Sequence, residues 1–422
     1  MQRTSEGPPS QPPAPYACET THVPFEMRRL GIVMAPDPHD ALEAMGVLNP
    51  AAARGLDGHL YLFPRVVAAG NYSRIGRVRV RFDAAGDPVG VDRLGYVLEP
   101  EAPYERNPLN GGGCEDARVT YIAVLKRFVM TYTAFGPTGP RVAVAISDDL
   151  VTWRRLGKLE FAKARVDFHG YGNKDACFFP EPVIDPNGKV ALALIHRPTY
   201  RQHFPDGTER IVLPDHITDE RECVWISYVA LDRCHNDERW LTHVHENHLL
   251  LSPRAPWEQI KVGGGPPPIP TSLGWVLVYH GIRPVTLPDG SPAPRGQYCA
   301  GVAVLDRNKP WHVLYRSPEP VLVPTSGAEQ TGVVENVVFP TGLDVRQDMG
   351  PDIVDVYYGM ADTRIGAARM CIPSELPLRV HKEHDHIPTA EHAAADHAHP
   401  DAPKLVPPQA SGAQLPPPVR HA

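Results

Sequence analysis

Five stretches of this chain place charged or hydrogen-bonding side chains at the edge of apolar runs, where they could do chemistry. The first is "GGGCEDARVTYI", residues 111–122. Two adjacent acids, Glu115 and Asp116, follow three glycines, and Arg118 comes two residues later. A carboxyl here could act as a general acid or base, or could pin a turn through its Arg neighbour. Gly111, Gly112 and Gly113 permit close backbone approach of a ligand or a neighbouring strand. If the run is a strand, Asp116 and Arg118 share one face and Glu115 takes the other.

The second stretch, "NKDACFFPEPV" (173–183), sets Lys174 and Asp175 before a buried strand. The third, "LIHRPTY", ends an apolar strand with His196 and Arg197. The fourth, "WVLVYHGIR", ends another with Tyr279, His280 and Arg283. The fifth, "VYYGMADTRIGAA", puts Asp362 where it could accept hydrogen bonds from sugar hydroxyls. Singly, each reads most simply as a salt bridge or a turn. Cations at the ends of several strands in the same phase are costly unless they meet an anion. Arg supplies a planar fork for phosphate or carboxylate, and Lys a point charge. Together the stretches predict an anion pocket with a carboxylic acid near it.

The elements that must position these residues are strands. Runs such as "HLYLFPRVV", "RFVMTYTAF", "KVALALIHRP", "GWVLVYHGI" and "DIVDVYYGM" alternate with turn signals such as "DPNG" and "SLGW". Three segments share one rhythm of strand, polar turn, Trp and next strand: "VAVAISDDLVTWRRLG", "VWISYVALDRCHNDERWL" and "GVAVLDRNKPWHVLYRS". A repeating unit of outward and returning strands predicts an all-β propeller, whose site lies where inner strands converge. The catalytic domain is expected over 23–380. Residues 1–22 and 381–422 are rich in Pro, Ala and His and read as disordered tails. The segment 199–223 reads as a long loop over the funnel mouth.

The chain has 422 residues, 42% of them hydrophobic, and a formal net charge of -7. That gives no basic field for nucleic acid, and no apolar run reaches the roughly 20 residues of a membrane span. Seven scattered Cys argue against a disulfide framework or a zinc site and suit a reducing compartment. A cytoplasmic protein with no metal and no bound cofactor is expected, and a homo-oligomer is compatible with the sequence.

The ordered set "NPAAARGLDGHLYLFPRV", "GCEDARVTY", "KDACFFPEPV", "HRP", "GGGPPPIPTSLGWVLVYHG", "GVVENVVFPTG" and "YYGMADTRIGAA" resembles glycoside hydrolase family 130, the β-mannoside phosphorylases and related mannosidases. The resemblance runs from about Asn49 to Ala368. It implies a five-bladed β-propeller, with Asp116 as general acid and Lys174, Arg197 and His280, with Tyr279 beside them, as the phosphate cradle. It also implies substrate contacts from Asn49, Arg65, Glu115, Asp175 and Asp362. Family members usually carry Pro after the Glu-Asp pair, where this chain has Ala117.

An inverting phosphorylase needs one carboxyl, where a hydrolase needs two, because phosphate is itself an anionic nucleophile. The resemblance implies inorganic phosphate as co-substrate and an oligosaccharide β-mannoside, β-1,4- or β-1,2-linked, as the other partner. A β-mannoside hydrolase, with Glu181, Glu329 or Glu335 as base, is one alternative. A non-catalytic sugar-binding propeller is another.

Overall fold

The computed structural model describes residues 24–107, 111–162, 164–203, 208–287, 289–293 and 295–376. The tails expected at 1–22 and 381–422 lie outside the described residues.

The strands form five antiparallel blades of four main strands each. Blade I comprises Gly46–Arg54, Leu60–Ala68, Tyr72–Phe82 and Pro88–Leu98. Blade II comprises Gly112–Ile122, Arg127–Gly136, Gly139–Ser147 and Arg154–Lys158. Blade III comprises Gly172–Phe178, Val190–Thr199, Val224–Ala230 and His243–Leu251. Blade IV comprises Lys261–Gly264, Gly274–Arg283, Gln297–Leu305 and Val313–Arg316. Blade V takes Val338–Val345, Ile353–Met360 and Arg364–Cys371, and its outer strand is the first among the described residues, Met27–Met34, paired with Arg364–Cys371. The repeats read in the sequence are the third and outermost strands of blades II and IV, and in blade III the third strand with the short helices that lead to the outermost strand.

The core follows from period-two alternation on strands buried on both faces. In Gly274–Arg283, Trp275, Leu277 and Tyr279 pack toward blade III, and Val276 and Val278 toward blade V. Similar clusters fill the junctions between blades I and II, II and III, and V and I.

The glycines of "GGGCED" serve a neighbouring strand. Blade II's inner strand pairs in parallel with blade I at Tyr72–Gly112 and Ser73–Gly113. A Cβ on Gly113 would lie 2.2 Å from the Ser73 carbonyl oxygen, and Gly113 sits at φ +117°. Only glycine fits there.

A second repeated device locks strands within blades. In blade IV the Tyr279 hydroxyl donates to Glu258 at 2.6 Å, and Arg316 of the outer strand pairs with Glu258 at 2.8 Å. Glu105, Tyr132 and Arg155 repeat this in blade II, as do Glu329, Tyr358 and Arg29 in blade V. Each Glu also accepts two backbone N–H bonds from a tight turn.

Candidate active site

Three inner strands carry the same local irregularity at the same place. The register skips two residues at Asn49–Pro50, Asp116–Ala117 and Asp175–Ala176. The first residue of each bulge is left-handed, with φ of 45° for Asn49, 47° for Asp116 and 53° for Asp175. Asn and Asp tolerate that conformation better than other side-chain-bearing residues. Bulges re-aim side chains.

This overturns the expected alternation at "CEDAR". Glu115 and Asp116 do not face opposite ways; both carboxylates meet Arg65, at 2.9 Å and 3.5 Å. Asn49 donates its amide N–H to Asp116 Oδ1 at 2.9 Å, and Arg65 Nε donates to Ser73 Oγ at 2.9 Å. Arg118 donates to the Asp116 main-chain oxygen at 2.6 Å, so it braces the bulge. Lys174 of blade III reaches Glu115 Oε2 at 3.6 Å.

A second group lies around Asp175. Arg197 Nε donates to its Oδ2 at 2.6 Å, Arg118 lies 3.5 Å from Oδ1, and His280 Nε2 is 3.8 Å from Oδ2. Arg118 therefore links the two groups. The other edge of Arg197 contacts Glu222, which Lys261 Nζ approaches at 3.3 Å. The His280 ring packs on Phe339, centroids 4.5 Å apart, and on Tyr298 at 5.9 Å.

Charge sets the protonation states. Burial works to raise the Asp116 pKa, but Arg65, Lys174, Arg118 and the Asn49 hydrogen bond outweigh it and hold it below the ordinary carboxylate value. Burial, with Asp116 as a like charge, raises Asp362 to about 6 against the pull of Arg65, Arg295 and Lys174. Burial also works to raise Asp175, but Arg197, His280 and Arg118 hold it well below its usual range. His280 is pushed down to about 3, chiefly by burial and further by Arg197, Lys261 and Arg118, with Asp175 opposing. It is therefore a neutral imidazole in the free site, which corrects its expected place among the positive charges. Six cations, Arg65, Arg118, Lys174, Arg197, Lys261 and Arg295, face five carboxyls, Glu115, Asp116, Asp175, Glu222 and Asp362.

The structure gathers Asn49, Arg65, Glu115, Asp116, Lys174, Asp175, Arg197 and His280 through these contacts. Asp362, on the last turn of blade V at φ 48°, joins them through the fields of Arg65 and Asp116. Tyr279 is not brought in. It neighbours His280 on one strand, so it points to the opposite face, where it is fully buried against Trp257 and Glu258. His196 is a core residue between Asn173 and Ser227, 2.9 Å from each. Glu329 and Glu181 are paired with Arg29 and Arg307. The expected loop 199–223 contains a small hairpin, Arg201–His203 with Glu209–Ile211, and its far end delivers Glu222.

Sequence reasoning missed Glu222, Lys261 and Tyr298. Lys261 had a signal, since it precedes the glycine run of blade IV's inner strand. Glu222 had none. Among the described residues no group of three or more His, Cys, Asp or Glu is arranged to hold a metal ion. Nor is any helix among them long and apolar enough to cross a membrane.

Comparisons agree with this architecture. A 1,2-β-oligomannan phosphorylase of Thermoanaerobacter sp. is 30% identical over 342 residues, covering 80% of this chain and 93% of the relative. A β-1,4-mannooligosaccharide phosphorylase of Ruminococcus albus is 28% identical, covering 66% of this chain and 68% of its own. The β-1,2-mannobiose phosphorylase of Listeria innocua, solved with β-1,2-mannobiose, superposes with a TM-score of 0.59 at 22% identity, over 82% of this chain and 97% of that one. The family model described as β-1,4-mannooligosaccharide phosphorylase matches residues 27–376, and the chain belongs to that family, glycoside hydrolase family 130.

Proposed function

We propose that this protein is an inverting β-mannoside phosphorylase. It transfers a mannosyl unit from a β-1,4- or β-1,2-linked mannoside to inorganic phosphate, giving α-mannose 1-phosphate and a shortened sugar. The observation that carries the reading is the pairing of Asp116, on blade II, with a basic group on the adjoining blades III and IV, linked through Arg118.

In this reading phosphate lies among Lys174, Arg197, Lys261 and neutral His280. One phosphate oxygen bonds to C1 as the bond from C1 to the leaving oxygen breaks, inverting the anomeric centre. That oxygen takes the Asp116 proton, relayed by a mannose hydroxyl as the family resemblance implies. Positioning and charge supply the catalysis. Asp116 is ionised in the free site, so it takes up its proton only as phosphate and substrate arrive. Phosphate adds negative charge to the cluster, and that charge raises the pKa of every carboxyl near it. The reaction is assigned to the cytoplasm, where phosphate is plentiful.

A hydrolase of the same family is the second reading. One observation favours it: the Glu222 carboxylate lies among the cations, where it could activate water. Reverse synthesis separates the two. Supplied with α-mannose 1-phosphate and a panel of sugar acceptors, the phosphorylase releases phosphate with at least one acceptor. Release with none, in a protein that cleaves β-mannosides, establishes the hydrolase.

A further inference from the structure

We propose that Glu222 is a built-in stand-in for phosphate: its carboxylate holds the seat between Arg197 and Lys261 in the free protein and leaves it when phosphate arrives. The inference rests on the phosphorylase reading above and names a residue that sets phosphate affinity.

Arg197 has two carboxylate partners of different kinds. Asp175 lies on the inner-strand bulge, its side chain 2% exposed, and takes Nε at 2.6 Å. It orients the guanidinium. Glu222 takes the opposite edge through Nη1, and its side chain is 18% exposed. It lies just before the third strand of blade III, not in the sheet. Its backbone is tied down, since the Glu222 carbonyl accepts from Val262 N–H at 3.1 Å. Only the side chain has to turn, and side-chain rotation is fast compared with loop opening.

The exchange has a physical reason. Arg197 and Lys261 side by side without a counter-ion would be costly to bury. Glu222 supplies that counter-ion in the absence of substrate. Phosphate offers the same two cations more charge and more acceptor oxygens. One anion replaces another, so the apparent affinity for phosphate reflects the difference between them.

The test is steady-state kinetics with varied phosphate on wild type, Glu222→Gln and Glu222→Asp. Removing the tethered charge lowers KM for phosphate about three- to tenfold. It leaves KM for the mannoside unchanged. Glu222→Asp, which keeps the charge on a shorter arm, moves KM the same way by less and decides the matter if Glu222→Gln does not fold. An unchanged or raised KM for phosphate overturns the proposal, as does a large fall in kcat alone. Phosphate-independent sugar release by wild type that Glu222→Gln abolishes overturns the phosphorylase reading itself and makes Glu222 a base.

Discussion

Asp116 is ionised in the free site, because Arg65, Lys174 and Arg118 together outweigh its burial. Its service as an acid therefore depends on what else occupies the site. Asp116→Asn keeps the left-handed bulge, since Asn49 adopts the same conformation in blade I. It is expected to fold with an unchanged melting temperature and to lose about 100- to 10,000-fold in kcat. Near-normal turnover would remove Asp116 from the chemistry. Asp362 gives a second expectation. Its pKa rises on folding from 3.8 to about 6, so its cost to stability is absent below the lower value and complete above the higher one. Asp362→Asn should therefore melt a few degrees above wild type at pH 8 and show no gain at pH 4. An equal gain at both values would contradict the field assigned to that carboxyl. The residue types of the site were legible in the sequence: acid, Lys, Arg and His at strand ends. Their directions were not, because a two-residue bulge at Asp116 changes which side chain faces the channel.

At the scale of elements, the inner-strand bulges explain a departure from the family pattern. Ala117 occupies the second bulge position, as do Pro50 in blade I and Ala176 in blade III. Those two residues skip the regular register, so Pro and Ala interchange there at little cost. The shared pattern was visible as "NP", "DA" and "DA", but it has meaning only once the strands are aligned as blades. The Glu–Tyr–Arg locks were not legible, because their members lie up to 300 residues apart. They also account for Tyr279. Tyr279→Phe leaves Glu258 and Arg316 short of one buried hydrogen bond. It should cost about 1–3 kcal/mol of stability in denaturant unfolding. KM for phosphate should be unchanged, and a severalfold rise would return Tyr279 to the phosphate site.

At the scale of the whole molecule, an N-terminal strand completes the last blade of the ring. Met27–Met34 completes blade V, and Arg29 reaches Glu329 and the Val323 carbonyl from there. Deleting residues through Met34 should open a sheet edge and uncover the junction between blades V and I, giving aggregated or unfolded protein. Soluble, active protein from that deletion would contradict closure by the first strand. The propeller itself was legible because strands buried on both faces, separated by regular turn signals, leave few other architectures. Site convergence follows from that geometry, since the inner strands of blades II and III carry Asp116 and Asp175, and the second strand of blade IV sets His280 beside Asp175. The most direct test of the central claim is to incubate β-1,2- and β-1,4-mannobiose with the protein, with and without phosphate, and follow the products by NMR. The account predicts cleavage of at least one disaccharide only when phosphate is present, with α-mannose 1-phosphate as the first product. Equal cleavage without phosphate, giving free mannose alone, would contradict it.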